Sequence, residues 1–433
     1  MDIIEWKALD EGQRKATLLR PAQASEGKVS EIVSDIIKNI RERGDEALKE
    51  YSRTLDRCPD DKLELTADEI AKACSNIDPE LKEAIDKAYV NIRKFHEAQQ
   101  PCHATVETVP GIVCKTATHP IEKVGLYVPG GSAPLVSTAL MLGVPAEIAQ
   151  CPEVILTSPY PLSDAIIYAA SKCGITRIFK LGGAHAIAAM AYGTESVPKV
   201  NKIFGPGNQY VTMAKRLVSE DALGAAIDMA AGPSEVLVIA DKNADPDFVA
   251  ADLLSQAEHG PDSQVVLVSD SRELLQETNE RLEVQLAQLP RAEIARVAMS
   301  HSRFILAPNL DECIAISNAY APEHLIVQID DPESIVSRLL NAGSIFLGAY
   351  TCESMGDYAS GTNHTLPTYG YAKSASALGT DDFRRRYTIS CASKEGLRNI
   401  GKTVELLAQA EGLQAHGNAV TLRLQKIGRN QDE

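Results

Sequence analysis

The segment VGLYVPGGSAPLVSTALMLGVPAEIA, residues 124–149, contains a short apolar run, a turn rich in glycine and proline, and a run of small apolar residues. Residues 124–146 carry no charge, as in a membrane span, but three prolines and a glycine pair interrupt them. A helix in lipid has to satisfy its backbone hydrogen bonds internally, which these interruptions prevent. The segment therefore predicts a buried strand, a turn and a helix of a globular protein, and no membrane as a partner.

The same alternation of strand and helix patterns continues to about residue 350. Short apolar runs bounded by turn residues predict strands at 124–128, 154–157, 177–181, 202–204, 236–240, 265–269, 303–306, 325–328 and 344–347. Helical periodicity follows most of these strands, at 133–149, 164–173, 184–191, 209–219, 245–259, 272–286 and 311–318. Strand, helix and strand at this spacing predict parallel sheets with right-handed crossovers.

These strands are too many for one sheet, so the predicted fold class is α/β, with two incomplete Rossmann-like parallel-sheet domains and small N- and C-terminal extensions. Residues 24–100 show helical periodicity, and we expect the whole segment 24–126 to pack with the later sheet. The predicted domains are an N-terminal extension at 1–23, a discontinuous α/β domain at 24–126 and 235–378, an α/β domain at 127–234, and a C-terminal helical tail at 379–433.

Composition restricts the partners and the compartment. The formal net charge of the 433 residues is −16 at pH 7, and this excess of acid repels phosphate backbones and anionic lipid. We therefore expect no nucleic acid partner. The nine cysteines are scattered without a Cys-x-x-Cys pair, which is typical of free thiols in a reducing compartment. The N-terminal sequence MDIIEWKALDEGQRK has no apolar secretory core, so we expect a cytoplasmic protein.

Three glycine-rich turns follow candidate strands, at 127–132, 181–185 and 204–209. Ligands collect at the carboxyl ends of parallel strands, and glycine lets a phosphate approach the backbone closely. The dinucleotide fingerprint G-x-G-x-x-G is incomplete, because Tyr210 stands where the third glycine would be. The turns therefore suggest phosphate or nucleotide binding, while ordinary tight turns, with Asn208 as a helix N-cap, remain an alternative.

Glu323 and His324 are adjacent in a turn that precedes a candidate strand. A carboxylate and an imidazole on one constrained turn provide two proton-transfer groups, although an ordinary exposed loop pair has the same sequence.

Four further polar side chains stand out, each with only a weak signal of its own. Gln256 and His259 are three residues apart on one face of a helix that the following Gly260-Pro261 ends. Asp357 lies in a stretch rich in glycine and serine, and His416 lies near the end of the chain. Each has an ordinary explanation when taken alone: a histidine favoured by the helix dipole, a surface loop, or a frayed tail.

The chain resembles the histidinol dehydrogenase family over essentially its whole length, in the blocks VGLYVPGG, FGPGNQYVTMAK, DMAAGPSEVLVIAD, LLSQAEHGPDSQ, YAPEHL, GDYASGTNHTLPT and EGLQAHGNAV. The resemblance implies an intertwined homodimer that oxidises L-histidinol to L-histidine through bound L-histidinal, in four electrons and with two NAD⁺. It also implies one zinc ion per subunit, held by Gln256, His259, Asp357 and His416, the last of these reaching the partner's site.

The resemblance further implies the roles of other residues. His324 would accept the alcohol proton, and Glu323 would activate water for the second oxidation. NAD contacts would come from Tyr127, His185 and Asn208, and position 185 is commonly glutamine in the family. Substrate contacts would come from the four metal ligands together with Ser234, His324 and Glu411.

Other functions remain as alternatives. The chain could be another NAD-dependent amino-alcohol or aldehyde dehydrogenase, including one that uses a thiol, for which Cys151 and Cys352 lie nearest the candidate loops. A zinc hydrolase could use the same glutamate, histidine and metal without NAD. A non-catalytic paralogue would bind NAD or metal alone, but binding requires neither Glu323 nor His324.

Overall fold

The computed structural model describes residues 1–21, 26–130, 134–229 and 232–429. Gly131 and Ser132 of the first glycine-rich turn, and the predicted boundary between residues 23 and 24, lie outside the described residues. The strands are β1 Ile3–Glu5, β2 Thr105–Val109, β3 Ile112–Pro120, β4 Lys123–Tyr127, β5 Glu153–Ser158, β6 Arg177–Lys180, β7 Lys202–Phe204, β8 Ala226–Ile227, β9 Glu235–Ala240, β10 Gln264–Ser269, β11 Arg303–Leu306, β12 His324–Gln328, β13 Ser344–Leu347 and β14 Arg384–Ala392.

The α-helices, in chain order, are α1 Glu11–Thr17, α2 Glu26–Arg43, α3 Asp45–Thr54, α4 Ala67–Asn76, α5 Pro79–Glu97, α6 Val136–Ala149, α7 Asp164–Lys172, α8 Gly183–Tyr192, α9 Gln209–Glu220, α10 Pro246–Ala257, α11 Arg272–Leu286, α12 Ala292–Ser300, α13 Leu310–Tyr320, α14 Glu353–Tyr358, α15 Lys394–Ala410 and α16 Gln414–Arg429. Short 3-10 helices occupy Trp6–Ala8, Pro332–Arg338, Tyr371–Lys373 and Thr380–Phe383. No helix of the described ranges is both long and apolar enough to span a bilayer.

The strands from β4 to β13 form two parallel sheets, which confirms the predicted α/β class. The order in the first sheet is β6-β5-β4-β7-β8, and in the second it is β1-β11-β10-β9-β12-β13. In both sheets the first long strand is central and the next two lie to one side, which is the order of an incomplete Rossmann sheet. The central strands β9 and β10 are buried throughout, because helices cover both faces of such a sheet.

The helices before the first sheet correct one prediction. We expected residues 24–126 to pack with the later sheet, but α2 shares a core with Phe179 of β6 and Ile187 of α8. Likewise, α5 places Ile85 and Ile92 in one core with Leu126 of β4. Helical periodicity shows that a helix buries one face but not which sheet receives that face. The amphipathic helices α2 to α5 therefore complete the domain of the first sheet.

The chain divides into two compact units. The first unit comprises Met1–Ala98 with Ile121–Phe383, and therefore contains both parallel sheets. The second unit comprises Gln99–Pro120 with the chain from Arg384 onward, and contains the antiparallel sheet β14-β3-β2 together with α15 and α16. The C-terminal segment predicted as a helical tail thus begins with the short 3-10 helix Thr380–Phe383 and the nine-residue strand β14. Its residues are mostly exposed, so the strand lacks the apolar alternation that would have predicted it.

Candidate active site

The second parallel sheet places Glu323 and His324 at its amino-terminal edge. His324 is the first residue of β12 and is in register with Val236 of the neighbouring strand β9. Both side chains are buried. The pair therefore lies at the edge opposite the carboxyl ends of the strands, where we expected ligands to collect. The path of the helix that follows β9 explains how other candidate residues reach this edge.

That helix, α10, returns from the carboxyl edge of the sheet to the amino edge as part of a crossover. Its last turn therefore carries Gln256, and the residues after it carry His259, to the start of β12. The side-chain nitrogen of Gln256 lies 2.9 Å from Nδ1 of His324. The carboxyl end of a helix is the negative end of its dipole, so this edge of the sheet favours a cation.

The stretch around Asp357, predicted as a loop, forms the short helix α14. Because residues four apart share one face of a helix, Glu353 points toward the site together with Asp357. A ring nitrogen of His259 and one carboxylate oxygen from each of Glu353 and Asp357 lie within 4.8 Å of one another. Sequence reasoning missed Glu353. The i,i+4 spacing of the two acids was the available signal, and it was lost because a loop was assumed.

The amide of Gln256 is oriented by two neighbours. Its nitrogen donates to Oε1 of Glu353 at 2.6 Å and faces His324, whereas its oxygen is buried without a hydrogen-bond partner among the described residues. A buried amide oxygen without a partner is costly, and a metal ion would satisfy it. The donor set of one imidazole, one amide oxygen and carboxylates, without thiolate, is suited to zinc and acceptable to manganese or cobalt.

Buried charge dominates the electrostatics of the cluster. Burial raises the pKa of Glu323 to about 8, against the opposing effect of His324 beside it. Burial lowers the pKa of His324, but the carboxylates of Glu353 and Glu323 outweigh this effect and raise it to about 10. Burial likewise raises the pKa of Glu353. Three carboxylates, counting that of Asp357, surround one imidazole, so a divalent cation would reduce their mutual repulsion.

The two nitrogens of His324 have different surroundings. Nδ1 lies 3.1 Å from the backbone carbonyl oxygen of Glu235, and Nε2 lies 3.5 Å from Oδ1 of Asp357 with no hydrogen-bond partner among the described residues. A bond to the carbonyl requires a proton on Nδ1, whereas a bond from the amide of Gln256 requires the opposite tautomer. Only a proton on Nδ1 leaves the lone pair of Nε2 free to act as a base.

The first sheet carries the glycine-rich turns at the carboxyl ends of its strands, as expected. At the turn after β6, the hydroxyl of Tyr127 accepts from the backbone nitrogen of Gly183 at 3.2 Å. His185 is fully buried behind this turn, and its Nε2 lies 2.8 Å from Oδ2 of Asp56, which also accepts from the backbone nitrogen of Gly182. The imidazole therefore supports the turn from inside and exposes no surface to a ligand.

The turn after β7 is held by a buried ion pair. Lys215 pairs with Asp228, and the two side chains bind the backbone oxygen and nitrogen of Gly205 at 2.8 Å each. Gly205 has a φ of +124°, and a Cβ there would lie 2.0 Å from the backbone oxygen of Tyr127. Only glycine fits this close approach. Asn208 is exposed and caps α9. Its side chain accepts from the backbone nitrogens of Tyr210 and Val211, so its predicted capping role is confirmed.

The remaining candidate residues are Ser234, Glu411 and His416. Ser234 is half-buried and immediately precedes β9. It is therefore next in sequence to Glu235, whose strand is paired with the strand that begins at His324. Glu411 and His416 belong to the second unit, where both are exposed: Glu411 caps the carboxyl end of α15, and His416 is in the first turn of α16.

Comparison with known proteins gives a consistent result. The family model for histidinol dehydrogenase matches residues 19–424. The histidinol dehydrogenase of Mannheimia succiniciproducens is 55% identical over 427 residues, covering 99% of this chain and 100% of that protein. That of Vibrio parahaemolyticus is 54% identical over 430 residues, with the same coverage. The crystal structure of histidinol dehydrogenase from Elizabethkingia anophelis matches with a TM-score of 0.94 at 46% identity, covering 98% of this chain and 99% of that chain.

The chain belongs to the histidinol dehydrogenase family. It is therefore an oxidoreductase, and the resemblance seen in the sequence blocks is confirmed over nearly the whole chain. In this member of the family, the second parallel sheet holds Glu323, His324 and the cluster of metal-type donors. The first parallel sheet holds the glycine-rich turns.

Proposed function

We propose that the protein oxidises L-histidinol to L-histidine through bound L-histidinal, as a cytoplasmic, intertwined homodimer that depends on zinc and NAD. Membership of the histidinol dehydrogenase family supports the reaction. The observation that carries the proposal is the convergence of Gln256, His259 and Asp357 with Glu323 and His324 at one edge of the second sheet. Distant parts of the chain supply these residues, and the fold brings them to one place.

Gln256, His259 and Asp357 would hold the zinc ion, with His416 from the partner completing the set. The unpartnered amide oxygen of Gln256 and the closely spaced donors of His259 and Asp357 fit this assignment. When bound, zinc would hold the imidazole and amino groups of the substrate and so act as an orienting template. Glu353, through its bond to the Gln256 nitrogen, would keep the amide oxygen turned toward the metal.

In the first oxidation, Nε2 of His324 takes the proton of the substrate alcohol while the carbon loses hydride. The mechanism uses the tautomer in which Nδ1 donates to the carbonyl of Glu235, because only this form leaves Nε2 as an acceptor. NAD⁺, when bound, would accept the hydride, and each of the two oxidations would use a separate NAD⁺. A general base of this kind contributes about 10²–10⁴ in rate.

In the second oxidation, the carboxylate of Glu323 takes a proton from water as the hydroxide adds to the aldehyde carbon. Nε2 of His324 returns its proton to the aldehyde oxygen, which gives the gem-diol and leaves His324 neutral. The gem-diol then loses its proton to Nε2 of His324 and its hydride, and L-histidine remains. Burial raises the pKa of Glu323 to about 8 and keeps bulk water from competing, which suits this carboxylate to take up a proton. Burial alone would lower the pKa of His324, but the surrounding carboxylates raise it to about 10, and a cation bound among them would lower it again and leave Nε2 free as the acceptor. NAD contacts at Tyr127, His185 and Asn208 are part of the proposal, with His185 acting through the turn it supports.

The test is a stoichiometric assay. Limiting L-histidinol mixed with the enzyme and excess NAD⁺ is expected to give two NADH and one L-histidine per histidinol, with activity lost on chelation and restored by zinc. One NADH per histidinol with accumulated aldehyde would contradict the four-electron reaction. No NADH on mixing with L-histidinol would reject the dehydrogenase and leave a zinc hydrolase or a non-catalytic paralogue.

Alkylation of the thiols separates water attack from a thiol mechanism. Cys151 and Cys352 are both only partly buried, so a small alkylating reagent can reach them. Retained activity after alkylation is expected, because Glu323 supplies the nucleophile by activating water. Loss of aldehyde oxidation alone would instead support a thiohemiacetal at one of these cysteines.

A further inference from the structure

Arg20, in the segment after α1, forms a buried bidentate ion pair with Glu235, the first residue of β9. The guanidinium Nε lies 2.5 Å from Oε1 of Glu235, and Nη2 lies 2.8 Å from Oε2. The arginine side chain is 13% exposed and that of the glutamate 3%. Two parallel bonds fix the carboxylate in position and in orientation.

The same guanidinium holds the backbone that leads into the acid/base pair. Its Nη2 also donates to the carbonyl oxygens of Tyr320 at 3.0 Å and Ala321 at 3.2 Å, and the group lies over the ring of Tyr320, 4.1 Å from the centroid. Ala321 ends α13 with a φ of +56°, a left-handed conformation that a residue with a side chain keeps only when its surroundings impose it. Glu323 follows two residues later.

The backbone of Glu235 contacts both members of the pair. Its nitrogen donates to Oε2 of Glu323 at 2.9 Å, and its carbonyl oxygen lies 3.1 Å from Nδ1 of His324. The side chain of Glu235 accepts from the backbone nitrogen of Tyr369 at 2.8 Å as well as from Arg20. Glu235 is therefore fixed from its side chain and, in turn, fixes Glu323 and His324 through its backbone.

We propose that Arg20 is a positioning residue for the Glu323–His324 pair: it holds the peptide groups on both sides of the pair, at Glu235 and at Tyr320–Ala321, in the geometry that proton transfer requires. The inference rests on the proposed function. Arg20 touches neither reacting atoms nor any of the proposed metal ligands among its recorded contacts. Lysine would keep the charge but could not bind two carboxylate oxygens and two carbonyls in one plane.

The test compares Arg20→Lys and Arg20→Ala with Arg177→Ala in the full-length enzyme. Arg177 is the matched control, because its Nε and Nη2 also bind both oxygens of one carboxylate, that of Glu64, at 2.9 and 3.2 Å, but on the first sheet. Both Arg20 variants are expected to lose about 10–100-fold in kcat, as for a small displacement of catalytic groups, with little change in KM for histidinol and with zinc retained. Arg177→Ala is expected to keep the kcat of the wild type.

Two further measurements separate positioning from folding. Guanidinium chloride at a few millimolar, far below denaturing concentration, is expected to restore part of the kcat of Arg20→Ala, while leaving Arg177→Ala and the wild type unchanged. The ¹⁵N resonances of the His324 ring, assigned by their loss in His324→Asn, are expected to move in Arg20→Lys at fixed pH. Should Arg20→Ala fail to fold, Arg20→Lys gives both the kinetic and the spectroscopic result.

A folded Arg20→Lys enzyme with the kcat and the His324 ring resonances of the wild type would overturn the proposal. A uniform loss of activity in proportion to the unfolded fraction, without rescue and without a shift of these resonances, would also overturn it. A wild-type enzyme that does not reduce NAD⁺ with histidinol would instead reject the proposed function, and the ring resonances would then decide the positioning role on their own.

Discussion

Replacing Glu353 by glutamine tests the cluster at the point that only the structure revealed. Glu353 is 1% exposed, and its Oε1 accepts from the Gln256 nitrogen at 2.6 Å. Glutamine keeps the shape and one acceptor oxygen but removes the charge that stabilises a cation a few ångströms away. Losing a group that orients a metal ligand typically weakens metal affinity about 10–100-fold, or about 1.4–2.7 kcal/mol. We expect a loss of that size for zinc.

The assay is competition for zinc between the enzyme and a chromogenic chelator, with thermal unfolding of the metal-free enzyme measured in parallel. The metal-free variant is expected to unfold at no lower temperature than the metal-free wild type, because a buried carboxylate among other carboxylates is itself costly. Glu258→Gln is the matched control. It removes an equal charge next to His259, from a half-buried residue that caps α10, and is expected to change zinc affinity by less than about twofold.

Zinc affinity of Glu353→Gln within the range of the Glu258→Gln control would refute the reasoning, because Glu353 would then neither bind the ion nor orient Gln256. A fall in zinc affinity matched by an equal fall in the stability of the metal-free protein would point to a packing role instead.

Three further predictions address the other parts of the molecule. Gly205→Ala is expected to weaken NAD binding about 10–100-fold in calorimetric titration, with zinc content unchanged, because its Cβ would meet the backbone oxygen of Tyr127 at 2.0 Å in a strained conformation. His324→Asn is expected to lower kcat about 10²–10⁴-fold, mainly in the alcohol step, with zinc retained, and loss of the metal with unaltered proton-transfer kinetics would show that its role is misassigned. His96 is buried and burial lowers its pKa below the ordinary 6.5, so its neutral form stabilises the fold above that pH, and the stabilisation is lost as the pH falls below 6.5. Denaturant titrations at several pH values are therefore expected to show a shallower acid loss in His96→Gln, and an unchanged acid limb would count against this.

Strands were the part of the fold most accessible from sequence. The nine predicted strands are β4 to β7 and β9 to β13, because a central strand of a parallel sheet is apolar on both faces and forms a continuous run. The strands that sequence reasoning missed lie at edges or in the antiparallel sheet. For example, β1 is three residues long and pairs only with β11, and β14 is almost wholly exposed. Such strands gain their hydrogen bonds from a partner and carry no apolar pattern of their own.

The site divides in the same way. The individual types and spacings of Gln256 with His259, and of Glu323 with His324, were visible as local patterns, and the family resemblance supplied their roles. Glu353 offered only its i,i+4 spacing with Asp357, which becomes informative once the stretch is helical, and Arg20 offered no signal. The first depends on a six-residue helix that forms beside a buried cluster, and the second on a partner 215 residues away in the chain.

What the sequence determined by itself was the α/β class, the two parallel sheets, the glycine-rich turns and the family, because these follow from residue patterns that are local or matched block by block. What only the tertiary structure decided was which sheet the helices α2 to α5 cover and which side chains meet. Amphipathic periodicity and residue type show that a face must be buried or a charge compensated. They leave the partner open, because that partner is chosen by contacts between segments far apart in the chain.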